Sequence, residues 1–208
     1  RNVIIEEIKM YEDTPDELVH DIFARSMWNG HALGRPIIGT ADVISSITRE
    51  QIIDYYHKYY DPSKLVIAVA GNIEHNRVVE KLQPLFEGKK SKHSDRKLIL
   101  PKPHRSVVCR SKDTEQVHLC IGTPGLKLSD DNYYVLQVIN TILGGGPSSR
   151  FFQEIREQRG LVYTVFSYHT SYHDAGLFCI YSGLSKENID KVLELVLKQI
   201  WDIQNNGA

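Results

Sequence analysis

The sequence predicts an α+β fold in which each half of the chain builds a two-layer αβ arrangement. Three observations lead to this class. Segments with apolar residues every three to four positions alternate with short, continuously apolar runs along the 208 residues. Capping signals and Gly- or Pro-containing breaks separate these segments. Both halves contain a strand–glycine–helix unit, so helices and strands are mixed throughout, although this unit is too common to establish an internal repeat.

The first two predicted helices follow each other closely. Residues 1–12 carry Ile4, Ile8 and Tyr11 at helical spacing, which predicts a helix with one apolar face. A capping box at residues 14–17, with proline at the first helical position, predicts a second helix that runs to about residue 27. A loop over residues 29–39 follows.

The remainder of the first half is predicted to be helix, strand and helix. Thr48 and Gln51 form a second capping box, so a helix is expected from there to about residue 60, where the sequence Asp-Pro-Ser stops it. Residues 65–70, LVIAVA, are apolar throughout, which predicts a strand covered on both faces. A further helix is expected over residues 74–86.

A change in composition marks the predicted domain boundary. Residues 87–103 hold six lysines and arginines and two prolines, with almost no apolar periodicity. We therefore predict one domain over residues 1–88, a linker over 89–104 and a second domain over 105–208. Both ends of the chain fall within or directly after predicted helices, so we expect a fragment of a longer protein.

The second half begins with strands and ends with a helix. Residues 144–147, Gly-Gly-Gly-Pro, end the helix that is predicted over residues 129–143. The last helix places its apolar residues on one face. The predicted elements are strands at 106–110 and 116–122, a helix over 129–143, a short helix from 148 to about 158, paired strands at 163–170 and 177–182, and a helix from 185.

Composition excludes several classes of function. The 25 basic and 26 acidic residues give a net charge of −1, which argues against a nucleic-acid partner held by bulk charge. No run approaches the roughly 18 apolar residues that a membrane helix needs, so no membrane partner is expected. Cys109, Cys120 and Cys179 match no C-x-x-C pattern, and we predict small buried hydrophobic residues instead of disulfides or metal ligands.

Three residues are candidates for chemistry. Glu7 shares a helical face with apolar residues, where a carboxylate needs a cation, strong donors or a metal; the alternative is an edge position that reaches solvent. Arg156 and Tyr163 flank a turn at Gly160 and could together hold a carbonyl or an oxyanion. The alternative is a surface arginine and a half-buried strand tyrosine, and spacing alone favours it.

Two other motifs carry weaker signals. The segment GGGPSSR, residues 144–150, lacks the lysine of a phosphate-binding loop and follows a helix, so a hinge or helix break is favoured. His169 and His173 are spaced four apart on a strand or its exit turn, which favours polar surface over a metal site. Neither H-x-x-E-H nor H-E-x-x-H occurs in the chain.

Five segments, in order and with matching separations, resemble the insulinase and mitochondrial-processing-peptidase family of zinc metallopeptidases, and the likeness is greatest to bacterial members with chains about twice as long. These segments are RNVIIEEIKMYEDTPDELVHDIF, HALGRPIIGT, ITREQIIDYY, LVIAVAGNI and LGGGPSSRFFQEIREQRGLVYTVFS. Members are inverzincins, in which H-x-x-E-H supplies two zinc-ligating histidines and a glutamate base. The third ligand is a glutamate in a helix reading E-R-x-x-x-x-x-E.

The resemblance assigns roles to the three candidates. Arg1 matches the arginine of that helix, so Glu7 matches the glutamate ligand of Zn²⁺, and the other ligands lie outside this chain. I-R-E-Q-R-G-L-V-Y matches with Arg156 and Tyr163, which implies that they bind the substrate backbone and steady the tetrahedral intermediate from the second domain. The chain by itself, with one ligand of three, is predicted to be inactive and to hold zinc only weakly.

The resemblance also implies two-layer αβ domains of the processing-peptidase-like metallopeptidase type, here as two partial repeats, together with the function and its setting. We expect a zinc-dependent endopeptidase that cleaves unfolded peptides or presequence-like segments, bound as an added β-strand inside a chamber of two domains. The alternative is a non-catalytic partner subunit of the same fold. A homodimer or a heterodimer with a related subunit is expected, in the bacterial cytoplasm or, as the alternative, the mitochondrial matrix.

Overall fold

The computed structural model describes residues 1–62, 65–87 and 99–207, which divide into two compact units. One unit joins Arg1–Ala41 to Ile99–Ala208, and the other comprises Asp42–Leu98. The junction at residues 98–99 falls within the predicted linker, of which residues 89–98 lie outside the described residues. The predicted domain ranges refer to the longer protein and stay predictions.

The elements confirm the α+β class. The helices are α1 (Asn2–Glu12), α2 (Pro15–Met27), α3 (Ala41–Ser46), α4 (Arg49–Tyr59), α5 (His75–Phe86), α6 (Tyr133–Gly144) and α7 (Ile189–Asn206), with a π-helix at Phe152–Glu157. The strands are β1 (Val117–Pro124), β2 (Val162–Ser171) and β3 (Gly176–Leu184). Two short 3₁₀ turns lie at Ala32–Gly34 and Lys186–Asn188.

The three described strands form one antiparallel sheet in the order β1-β3-β2. The predicted pairing of the last two strands is confirmed, and β3 lies in the centre. All nine residues of β3 are buried. A strand in an antiparallel sheet usually alternates between a buried and a solvated side, so this pattern shows that both faces of the sheet are covered.

Helices cover the two faces. On one face α7 contributes Val192 and Val196, both fully buried, and the π-helix contributes Ile155 to the main core. On the other face Met27 and Trp28, at the end of α2, pack with Leu177 and Cys179. Helices therefore pack against both faces of this sheet.

The junction between α1 and α2 differs from the prediction. Thr14 does not cap α2 with its side chain; its hydroxyl donates instead to the Met10 carbonyl at 2.9 Å. Only two residues separate the helices, so the hydroxyl serves the unpaired carbonyls at the end of α1. The predicted proline at the first position of α2 is confirmed.

The second unit contains α4 and α5 close to their predicted bounds. The Thr48–Gln51 capping box is formed in both directions, with the Gln51 amide at 3.3 Å from the Thr48 hydroxyl and the Thr48 amide at 2.8 Å from Gln51 Oε1. The predicted strand at 65–70 is wrong for this structure: those six residues are exposed and adopt no regular element. A strand needs a neighbour for its backbone groups, and the described residues of this unit offer none.

Two further predictions in the second half need correction. Residues 106–110 form no strand and are exposed. The helix predicted from residue 129 begins at Tyr133, because residues 129–132 make a turn in which the Asn132 amide donates to Asp130 Oδ1 at 3.0 Å. The short helix predicted from residue 148 takes the form of the π-helix, and α7 is preceded by a 3₁₀ turn.

Candidate active site

Tyr163 lies at an irregularity near the start of β2. Val162 pairs with Leu184 and Thr164 pairs with Gly183, so Tyr163 has no partner residue in the ladder. Such a bulge re-aims the side chain of the extra residue. The side chain of Tyr163 is 57% exposed, and its hydroxyl lies 3.5 Å from Ser185 Oγ, a long and weak contact. The phenol is therefore available to a ligand.

Arg156 lies on the π-helix that leads into β2. The Gln158 amide donates to the Gln153 carbonyl at 3.0 Å, the five-residue spacing of a π-turn. The Arg156 side chain is exposed, and its guanidinium carbon lies 4.6 Å from the centre of the Phe152 ring. This stacking supports the guanidinium while its donors remain free to face solvent or a ligand.

An open groove of about 510 Å³ lies beside Tyr163. Its lining combines the start of α2 with the sheet and includes Asp16, Gln116, His118 and Tyr181. Most of these side chains carry hydrogen-bonding groups, as a site for a polar backbone requires. Of the three predicted site residues only Tyr163 lines this groove; Glu7 and Arg156 are not among its described lining residues.

His118 and Tyr181 form a hydrogen-bonded pair in this groove. The Tyr181 hydroxyl lies 2.9 Å from His118 Nδ1. Burial lowers the pKa of His118 and raises the pKa of Tyr181 to about 12, so both are neutral near pH 7. Sequence reasoning missed this pair, because residues 63 apart become neighbours only through the β1–β3 register.

Glu7 lies on α1 and is exposed, as is Ile4, whereas Ile8 is buried and Tyr11 half-buried. Of the two interpretations of Glu7 that the sequence left open, the structure of this chain agrees with the edge position that reaches solvent. The apolar stripe centres on Ile8, and Glu7 lies about 100° away around the helix axis, at the edge of that stripe. Its carboxylate is accessible at the surface of this unit.

The surroundings of Glu7 show which ligands the described residues offer to the zinc that the resemblance implies. Glu7 belongs to no described group of three or more histidine, cysteine or acidic side chains close enough to enclose a metal. Its accessible carboxylate suits one ligand position, but a catalytic zinc takes three protein ligands. Among the described residues, Glu7 thus offers one of the three ligand positions that the resemblance implies.

The sequence did not anticipate a cluster under α2. His20 Nδ1 lies 2.8 Å from the Tyr168 hydroxyl and 3.6 Å from Cys120 Sγ, and Cys179 lies with them. Hydrogen bonds from Cys120, His20 and Tyr168 lower the pKa of the Cys179 thiol to about 6, while the pKa of Cys120 is raised. His20 and Cys120 are 100 positions apart in the sequence, and Cys120 and Cys179 are 59 apart. No local motif therefore predicts this cluster.

The remaining predicted features have mixed outcomes. Among the cysteines, Cys179 is buried and Cys120 partly buried as expected, but Cys109 is exposed. The break after α6 is confirmed, and Gly144 is required there because a side chain would overlap the Ser167 backbone. His169 packs its ring edge-on against Tyr133 at 5.6 Å and is part of no described ligand cluster.

No helix within the described ranges combines the length and the apolar character needed to cross a bilayer.

Comparison with known proteins gives consistent results. The sequence profile described as "Peptidase M16 inactive domain" matches residues 46–208. An uncharacterized zinc protease of Bacillus subtilis is 39% identical over 207 residues, which cover 100% of this chain and 50% of that protein. One of Streptomyces coelicolor is 40% identical over 215 residues, covering 100% and 47%. The chain thus spans about half the length of these relatives.

Solved structures share the fold. A peptidase M16 inactive domain from Pseudomonas fluorescens superposes with a TM-score of 0.89 at 24% identity, covering 100% of this chain and 51% of that one. A protease from Helicobacter pylori gives a TM-score of 0.85 at 19% identity, covering 100% and 52%. At these identities the likeness establishes the fold alone.

Proposed function

This chain belongs to the peptidase M16 family, and on that premise we propose that the whole protein is a zinc-dependent endopeptidase. Its substrates are unfolded peptides or presequence-like segments, cleaved inside a chamber that two domains enclose. The names of the Bacillus and Streptomyces relatives support the class of reaction. The substrate and the chamber are our extension from the family resemblance.

The observation that carries the proposal is the position of Tyr163. Hydrolysis of a peptide bond places negative charge on the former carbonyl oxygen, and a preorganised donor aimed at that oxygen lowers the barrier. The bulge frees Tyr163 from the ladder and exposes its phenol beside the groove. In the proposed reaction the Tyr163 hydroxyl donates to this oxygen.

Arg156 has a complementary proposed role. Its guanidinium offers five donors in a fixed plane and remains charged at any working pH. In the proposed complex it donates to carbonyl oxygens of the substrate backbone, which holds the scissile bond in register with Tyr163. The stacking on Phe152 restricts the guanidinium before substrate arrives, so less rotamer entropy is lost on binding.

Glu7 is the proposed contribution of α1. The family match assigns it as the carboxylate ligand of zinc, whose remaining ligands would come from the rest of the protein. When bound, zinc would supply Lewis-acid activation of the scissile carbonyl. Since this chain provides one ligand, we predict that it does not hydrolyse peptides by itself.

The proposed substrate binds in extended form as an added strand at a sheet edge of the first domain. Backbone hydrogen bonds then supply affinity for many sequences, and an enclosed chamber admits only segments without stable tertiary structure. Assembly as a homodimer, or as a heterodimer with a related subunit, and a bacterial cytoplasmic location also stay predictions.

A second candidate is a non-catalytic partner subunit of the same fold. The matching profile is described as an inactive domain, and Glu7 is the one zinc ligand that the family match assigns to this chain. Such a subunit would use the groove to bind extended peptide without cleaving it.

The test uses the complete protein. We expect one zinc per chain by elemental analysis, cleavage of an unstructured fluorogenic peptide, loss of cleavage on chelation and recovery on adding Zn²⁺. The same peptide sequence placed inside a stably folded domain is the control and should resist cleavage. Absence of both zinc and cleavage would refute the peptidase and favour the partner subunit.

A further inference from the structure

Two thiol sulfurs and an imidazole nitrogen meet in the unit that contains the sheet, outside the proposed peptidase machinery. They belong to His20 of α2, Cys120 of β1 and Cys179 of β3, and all lie within 4.8 Å of one another. Cys179 is fully buried, and the other two are partly buried. None of them lines the groove beside Tyr163. We refer to these three residues as the thiol–imidazole cluster.

The register of the sheet explains why they converge. Cys120 lies opposite Tyr181, and Cys179 lies opposite Gly122. The two cysteines therefore point to the same face of the sheet, the one that α2 covers. His20 descends from α2 onto this face, where its ring centre lies 5.0 Å from that of Tyr181.

The same register argues against a disulfide. Cys120 and Cys179 are diagonal neighbours on adjacent strands, two positions out of direct opposition. Diagonal neighbours have Cα atoms about 7–8 Å apart, whereas a disulfide requires about 4.4–6.8 Å. The pair is thus held as two separate thiols on one side of an imidazole.

The spacing suits a shared metal ion. With metal–sulfur and metal–nitrogen bonds of about 2.3 Å and 2.0–2.1 Å, a sulfur and a nitrogen on one ion lie about 3.6–3.8 Å apart for tetrahedral to trigonal angles. Cys120 Sγ and His20 Nδ1 are 3.6 Å apart. The side chains need no large rearrangement to bind.

We propose that the thiol–imidazole cluster binds one soft, thiophilic metal ion, and that Cu⁺ is the ion that it matches best. Two thiolates and an imidazole are soft or borderline ligands, the class that selects Cu⁺ and Zn²⁺ over harder cations. Zn²⁺ in closed protein sites takes four ligands. Here the described residues supply three, a number that satisfies Cu⁺, and the next polar neighbour is the neutral hydroxyl of Tyr168.

A bound ion would link α2 to both β1 and β3. There α2 packs against β1 and β3, and the His20–Tyr168 hydrogen bond joins α2 to β2. Because an ion that binds only the folded state stabilises it by mass action, Cu⁺ should raise the melting temperature of the chain.

The experiment is an anaerobic Cu⁺ titration of the 208-residue chain against a chromophoric Cu⁺ chelator, with thiolate-to-copper absorption as a second signal. We expect one equivalent of Cu⁺ to be withdrawn from the chelator, at least tenfold weaker competition by Cys120→Ala and Cys179→Ala, and no change for Cys109→Ala. Cys109 is exposed and outside the cluster, which makes it the matched control. Parallel titration with Zn²⁺ should show weak binding.

X-ray absorption on the wild-type complex keeps the test independent of how the variants fold. Two sulfur neighbours and one nitrogen neighbour around copper are expected. Tyr168→Phe should bind Cu⁺ at least as tightly as wild type, since its hydroxyl competes for His20 Nδ1. Absence of binding, binding that survives in Cys120→Ala/Cys179→Ala, or stoichiometric Zn²⁺ with no Cu⁺ would overturn the proposal.

Discussion

Removing the hydroxyl of Tyr163 should lower the rate of catalysis and leave folding stability nearly unchanged. In Tyr163→Phe the aromatic ring stays in place, and the only described hydrogen bond of the lost hydroxyl is the 3.5 Å contact with Ser185. The side chain is 57% exposed and contributes to no buried core cluster. We therefore expect the free energy of unfolding to change by no more than about 0.5 kcal/mol, as for surface substitutions generally.

The expected effect on catalysis is much larger. Loss of one preorganised oxyanion donor costs about 2.7–4 kcal/mol of transition-state stabilisation, which corresponds to about a 100- to 1,000-fold fall in kcat. Because the hydroxyl is proposed to act on charge that develops during the reaction, KM should change little. The zinc content should not change.

The assay is steady-state cleavage of an unstructured fluorogenic peptide by the complete protein, alongside urea unfolding of both variants. Tyr134→Phe is the matched control, since Tyr134 is also an exposed tyrosine but lies on α6 outside the groove. Wild-type turnover in Tyr163→Phe would show that Tyr163 is a surface tyrosine without a role in the reaction. A fall in kcat with an equal loss of folding stability would show that the Tyr163 hydroxyl acts through folding and not through catalysis.

Two further predictions concern Arg156 and the helix caps. Arg156→Ala in the complete protein should raise KM as well as lower kcat, because contacts to the substrate backbone are lost. Peptide-cleavage kinetics check this, with Arg110→Ala, at an exposed arginine, as the control. An unchanged KM would contradict the proposed role of Arg156. Thr48→Ala should destabilise the chain by about 1 kcal/mol in urea unfolding, the usual cost of losing an N-cap. Thr14→Ala should cost less, because the Thr14 side chain makes no N-cap hydrogen bond to α2, and equal losses would contradict that difference.

Local signals in the sequence were enough where neighbouring residues determine the structure. The Thr48–Gln51 box, the start of α2 at Pro15 and the pairing of β2 with β3 were all predicted from short segments. The single apolar face of α7 was visible as helical periodicity, and Val192 and Val196 are buried on it. These features depend on spacing within a few turns or across one hairpin.

Features that depend on distant partners could not be predicted in this way. Residues 65–70 have the composition of a buried strand, yet among the described residues of their unit no strand pairs with them. Thr14 satisfies a capping pattern, but the proximity of α1 gives its hydroxyl a better acceptor. The convergence of His20, Cys120 and Cys179 requires the position of α2 on the sheet, which no local pattern encodes.

The candidate site also combines features that the sequence predicted with features that depend on distant contacts. Arg156 and Tyr163 were identified by a family resemblance, but the π-helix and the bulge that carry them have no recognised local signature. Glu7 lies at the margin of the apolar stripe, where only packing decides whether a side chain is buried, so the sequence left both a buried and an edge position open; the structure shows the exposed one.

Zinc content measured together with peptidase activity in the complete protein tests the central claim most directly. Glu7→Gln should lose at least tenfold in zinc affinity and lose cleavage in parallel, since an amide is a poorer ligand than a carboxylate. Glu6→Gln is the matched control: Glu6 is its exposed neighbour on α1, with its carboxylate 2.8 Å from Lys9 Nζ, and it should keep both zinc and activity. Equal zinc and equal kcat/KM in the two variants would contradict the assignment of Glu7 as the ligand that this chain supplies.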